Sequence, residues 1–140
     1  MDITIADYIT LLDGNHLLET ERDRSKFFRF QLPDDFFGSA NITRPVLTYR
    51  VRVPGKDTRL HVYVNPEPTE SNSSGFPTKP ESFFTLSSKY FGQLTSVLPG
   101  SPFLKGQENT IVFTISGDGH KFGDIEVGDV VLFHQRHIQI

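Results

Sequence analysis

The chain has 140 residues, a net charge of −3 and a pI of about 5.9. That size suits one domain, and that balance gives no electrostatic case for nucleic acid or an anionic membrane. There is no cysteine, which excludes disulfides, zinc–thiolate sites and thiol chemistry, and every apolar run falls short of the ~18 residues of a membrane span.

The first ten residues alternate, with Ile3, Ile5 and Ile9 on one parity and Asp7 interrupting them, and are expected as a strand. They are acidic and lack the basic start of a secretory signal, so the reading favours the cytoplasm. Asp13-Gly14 is expected to turn the chain, and His16 to Arg24 to run as a charged loop. Ser25 to Leu32 predicts a half-buried strand, with Phe28, Phe30 and Leu32 inward and Phe27, Arg29 and Gln31 outward. Pro33-Asp34-Asp35 ends it, and Phe36-Phe37 in the following connection is expected to plug one end of the fold.

The clearest alternation runs from Thr43 to Val53, with Leu47, Tyr49, Val51 and Val53 on one face and Val46, Thr48, Arg50 and Arg52 on the other. After a Pro54-Gly55 turn, Arg59 to Asn65 alternates again, with Leu60, Val62 and Val64 inward and Arg59, His61 and Tyr63 outward; the two runs read as a hairpin. Residues 65–81 carry Pro66, Pro68, Pro77 and Pro80 and predict a long loop at one end of the molecule. Ser82 to Leu86 predicts a short strand, and a further strand is expected from about Gly92 to the Pro99-Gly100 turn. Phe103 to Gly106 reads as a compact corner. Thr110–Ser116 and Asp129–Ile140, joined by a Gly/Asp-rich connection, read as closing strands. The aromatic residues, 13 Phe and 4 Tyr with no Trp, suit a Phe-rich core. About eight strands with frequent turn signals predict a single all-β domain over 1–140, an antiparallel β-sandwich of jelly-roll type.

Three segments, Arg59-Leu-His-Val-Tyr-Val-Asn65, Phe103-Leu-Lys-Gly-Gln-Glu-Asn-Thr-Ile111 and Asp129-Val-Val-Leu-Phe133, resemble galactose-binding-like jelly rolls. Among those, the resemblance is to the carbohydrate-binding-type domain that ends rhamnogalacturonan lyases, and it covers roughly residues 44 to 135. It implies a non-catalytic carbohydrate-binding module, although the chain lacks the Trp that such binders use. The same residues have a structural role to play: Gly106 permits a tight corner, Asn109 caps it, and Ile111 enters the core.

Four candidate sites follow. Arg50, His61, Tyr63 and Asn65 are expected to form a ligand face, with Tyr63 stacking on a sugar ring and the polar groups engaging hydroxyls. Asp118, Asp124 and Asp129, with Glu126 beside them, supply hard oxygen ligands for Ca²⁺, although their spacing is not that of an EF-hand and turn residues explain them equally. His134 and His137 differ in strand parity, so with His120 they do not form one ligand set. Asp34-Asp35 are adjacent, and no Gly-x-Ser-x-Gly sequence occurs, so no catalytic constellation is assembled and the chain reads as a non-enzyme. Asn41-Ile-Thr43 and Asn72-Ser-Ser74 match the glycosylation triplet without a signal to make it meaningful. The expected partner is a glycan. The alternative is a structural or protein-interaction sandwich that self-associates or packs on another protein, with the apolar tail Ile138-Gln-Ile140 as a contact. A concave polar–aromatic groove near the 65–81 loop favours the glycan, and a flat apolar patch favours a protein.

Overall fold

A computed structural model describes residues 2–19, 24–37, 44–53, 58–65, 82–85, 88–98, 103–117 and 123–139. The strands are β1 (Asp2–Leu18), β2 (Ser25–Gln31), β3 (Phe36–Phe37), β4 (Val46–Val53), β5 (Thr58–Val64), β6 (Ser82–Thr85), β7 (Ser88–Val97), β8 (Glu108–Gly117) and β9 (Ile125–Gln139). They form two antiparallel sheets. One has the order β1-β9-β4-β7, with the short β3 also on β9, and the other has the order β2-β8-β5-β6. Leaving out the two-residue β3, eight strands are divided between two antiparallel sheets, the β-sandwich that the turn spacing predicts.

The core lies between the sheets and is built from the inward parities. Leu47, Tyr49 and Val51 of β4 face Leu60, Val62 and Val64 of β5, with Phe28 and Phe30 of β2, Ile111, Phe113 and Ile115 of β8, and Val127, Val130 and Leu132 of β9. The Phe113 ring meets Phe28 edge-on at 5.3 Å and Tyr49 at 5.1 Å. The Tyr49 hydroxyl satisfies itself on Ser96 Oγ at 2.9 Å, so its burial leaves no polar cost. The two closing runs are central strands: β8 sits between β2 and β5, and β9 between β1 and β4.

Several expectations need correction. β4 and β5 are not a hairpin. β4 pairs β7 and β9, while β5 pairs β6 and β8. Their apolar faces oppose each other across the core, and an apolar alternation is the same whether two strands lie side by side or face to face. Asp13-Gly14 does not turn the chain. β1 runs through it and pairs β9 as far as Leu18, absorbing the misfit as register shifts between Thr10 and Leu12 and between Leu12 and Asn15, with Gly14 at φ 100°. The strand therefore also takes in His16 to Leu18, which the charge pattern assigns to a loop. Phe36-Phe37 pairs with Arg136 and Gln135 as a short strand, and β7 begins at Ser88 rather than near Gly92. The 66–81 segment and the Pro54–Asp57 turn lie outside the described residues.

Candidate functional site

The proposed ligand face does not assemble as one surface. Arg50 lies on β4 in one sheet, whereas His61, Tyr63 and Asn65 belong to β5 and its end in the other. Tyr63, expected outward and solvated, is only 7% exposed, and burial pushes its phenol up from the ordinary 10.0. Its ring stacks on His61 at 6.4 Å, and His61 Nε2 lies 2.5 Å from Ser116 Oγ. Asn65 has φ 45° and clasps β5 to β8. Its Nδ2 donates to Asn109 Oδ1 at 2.9 Å, and its Oδ1 accepts from the Thr110 amide at 2.8 Å. Asn109 is fully buried and does cap the corner. Its Oδ1 also accepts from the Leu104 amide, and its Nδ2 donates to the carbonyls of Leu104 and Gln107.

The acidic connection divides in the same way. Asp118 lies outside the described residues. Asp129, at φ 46°, accepts from Arg50 Nη1 at 2.9 Å and from the Gly14 amide at 3.2 Å. The Arg50 guanidinium first, then the Gly14 amide, holds its carboxyl below the ordinary 3.8. Its oxygens thus close the bulge where β1 and β9 slip past each other. Among the described residues, no three His, Asp or Glu side chains gather as a metal site. His134 is buried against Phe36, while His137 is exposed on the opposite parity of β9, as the alternation predicts.

The structure builds a different hollow, which the sequence reading missed. It is an open cleft of about 550 Å³ between Asp34, Asp35, Phe36, Phe37, Lys105, His137, Ile138 and Gln139. Three chain segments converge there. The Pro33 carbonyl accepts from the amides of Phe36 at 3.2 Å and Gly106 at 3.1 Å, tying the β2–β3 turn to the Lys105 corner. The His137 amide donates to the Asp35 carbonyl at 2.8 Å, tying that turn to β9. Gly106 adopts φ 71°, and the Asp34 carboxylate lies over its α-carbon, where any side chain would collide.

Beside this hollow Arg136 grips Asp35 with two bonds, Nε to Oδ1 at 2.7 Å and Nη2 to Oδ2 at 3.0 Å, and reaches Asp7 on β1 with Nη1 at 3.4 Å. The two-point grip fixes geometry as well as charge. The hydrogen bond from Arg136 lowers the Asp35 carboxyl below 3.8, against a smaller opposing effect of burial. The Phe37 ring stands edge-on to His137 at 5.1 Å. The signal that points here is the Pro33-Asp34-Asp35 stop followed by Phe36-Phe37, read together with Lys105-Gly106; nothing in the sequence shows that these segments meet.

A second feature is the outer face of the β1-β9-β4-β7 sheet. Register aligns Tyr8, Phe133, Val46 and Val97 in one row across all four strands, and Thr10, Val131, Thr48 and Thr95 in the next. None of the eight is charged. Tyr8 is 62% exposed, Phe133 44% and Val97 57%. The Tyr8 and Phe133 rings lie 6.1 Å apart. Beyond the Thr48–Val131 row the next charged residues along this face are paired with one another, Arg50 with Asp129 and Arg52 with Glu126.

No family model matches the chain, and no curated protein matches it. Solved structures match at the level of fold. The VP2 protein of infectious bursal disease virus, in derived T=1 particles, superposes with a TM-score of 0.55 at 10% identity, covering 96% of this chain and 32% of that one. Dimeric latent PorU from Porphyromonas gingivalis gives 0.52 at 12% identity, covering 96% of this chain and 13% of that one. The xylan-binding module CBM15 gives 0.48 at 11% identity, covering 94% and 96% of the two chains. This chain therefore spans about a third of VP2 and a small part of PorU. At such identities the likeness establishes a β-sandwich and nothing about ligand.

Proposed function

We propose that the chain is a non-catalytic recognition module that takes a neutral carbohydrate in the cleft between the Pro33 turn, the Lys105 corner and the end of β9. The observation that carries this is the cleft's lining. Asp34 and Lys105 flank it with opposite charges, Asp35 is already neutralised by Arg136, and Phe36, Phe37 and Ile138 supply apolar surface. A simple anion would meet Asp34 and a simple cation would meet Lys105. A neutral polyol donates to Asp34, accepts from Lys105, and lays its C–H face on the apolar groups. The volume lies within the range of small-ligand sites, roughly 300–1,000 Å³.

The same geometry supports the non-catalytic part of the reading. Asp35 is held ionised in a two-point ion pair, the opposite of the raised carboxyl a general acid needs, and Asp34 is its sequence neighbour on one turn. The sequence resemblance to galactose-binding-like domains points to the same ligand class. The test is isothermal titration against a panel of neutral and charged mono- and oligosaccharides. Neutral sugars are expected to bind, and Phe37→Ala and Lys105→Ala each to weaken binding at least tenfold with circular dichroism unchanged. A panel with no binder, binding confined to charged sugars, or binding insensitive to both variants overturns the reading.

A further inference from the structure

We infer that the outer face of the β1-β9-β4-β7 sheet is an interface for a second copy of this chain, packed face to face about a twofold axis. Exposure makes the face available. Tyr8, Phe133 and Val97 are three of the seven large hydrophobic side chains exposed among the described residues, and all three fall in one row. Apolar side chains scattered singly need no explanation, whereas an aligned row marks an interaction surface.

Two properties of the row select a second copy as the occupant. The first is size. Across the sheet the order is Tyr8, Phe133, Val46, Val97, two large rings followed by two small branched side chains. A twofold axis between β9 and β4 reverses that order in the facing copy. Tyr8 then meets the second copy's Val97, and Phe133 meets the second copy's Val46, so that large opposes small at every position. Facing sheets interdigitate in this manner at a separation of about 10 Å.

The second property is charge. Two identical faces repel if they carry unbalanced charge of one sign. Here the two rows carry none, and on the Thr48–Val131 side the first charges met are paired, Arg50 with Asp129 and Arg52 with Glu126. The adjoining row of β1 and β9 places Ala6 opposite Gln135, adding no charge either. The same row continues from Gln135 onto Phe37 of β3, so the face borders the carbohydrate cleft, and Val97 on β7, at the far edge of the sheet, tests the face without touching the cleft residues.

Sedimentation velocity over a range of concentrations tests the association. A dimer is expected, with Val97→Glu and Phe133→Glu each weakening it at least tenfold because each places two like charges in the interface. Circular dichroism of both variants checks that the fold persists, and Val97, the more exposed of the two, is the safer site. The native chain has no cysteine, which allows the register to be read directly. Linking a mixture of Tyr8→Cys and Val97→Cys chains with a short bis-maleimide, which spans the ~10 Å between facing sheets, is expected to give the mixed pair in excess over either like pair. A strict monomer, a dimer indifferent to both glutamates, or cross-linking that favours like pairs overturns the inference.

Discussion

The β1/β9 bulge and the end cleft are assembled from the same parts. Each has a glycine at positive φ, Gly14 in one and Gly106 in the other. Each also has a side-chain oxygen where a glycine's Cβ would be, Asn15 over a second glycine, Gly128, in the bulge and Asp34 over Gly106 itself in the cleft. Each also joins an aspartate to an arginine distant in sequence, Asp129 to Arg50 and Asp35 to Arg136. Only one of them leaves a hollow. At the bulge the ladder continues on both sides, so the strands draw every group back into the sheet. At the cleft the ladders end, and three segments meet through the Pro33 and Asp35 carbonyls with open space between them. A polar cluster becomes a site when the backbone around it stops pairing.

The largest expected effect comes from the residue beneath the cleft end. Asn109→Ala removes a buried amide that serves Leu104, Gln107 and Asn65, leaving several buried backbone and side-chain groups unsatisfied. A loss of about 3 kcal/mol in urea unfolding is expected. A loss below about 1 kcal/mol would mean that the corner is held by other means.

Next come the two glycines, compared directly. Gly128→Ala sets a methyl group against the Asn15 side chain and the Gly14 carbonyl, inside a continuous sheet, and is expected to cost about 1–3 kcal/mol without altering sugar affinity. Gly106→Ala strains a left-handed residue for roughly 1 kcal/mol, but it also displaces Asp34, so it should weaken sugar binding more than Gly128→Ala does. Titration and urea denaturation of both variants separate the cleft from the bulge. Equal losses of affinity would erase the distinction.

The smallest effect is expected from pH. Asp35 and Asp129 both have carboxyl groups lowered below 3.8 in the folded chain, each first by its arginine. A lowered carboxyl stabilises the fold above its unfolded value, and that contribution is lost as pH falls through the folded value. The urea midpoint should therefore drop on acidification below about pH 4, and drop less steeply in the Asp35→Asn, Asp129→Asn double variant. Both groups are partly solvated, so the difference will be modest. Parallel acid profiles for the two proteins would show that neither ion pair contributes.

Much of the fold is legible in the alternation. Phe28 with Phe30, Leu47 with Tyr49 and Val51, and Leu60 with Val62 and Val64 are all inward, as their spacing demands. Pairing was less legible. Period-two patterning assigns a side chain to a face but does not choose a neighbour, so β4 and β5 read as a hairpin although they face each other across the core. Asp-Gly reads as a turn wherever it stands, and only the partner strand reveals that Gly14 sits in a bulge. The site was least legible. Arg50 with Asp129 and Arg136 with Asp35 are matched by topology alone. Asn65, which reads as a sugar ligand, spends both ends of its amide on β8 and its corner.

The pairing of β1 with β9 also sets a timetable. These two strands come from opposite ends of the sequence and are registered from Asp2 opposite Gln139 to Leu18 opposite Ile125. During synthesis, β1 emerges first and must wait for β9 to emerge. Until then, β4 lacks one of its two neighbours as well. Such non-local pairing predicts folding on a millisecond-to-second scale rather than in microseconds. It also predicts that this sheet closes only after β9 has been made, while β5 and β6 can already have paired.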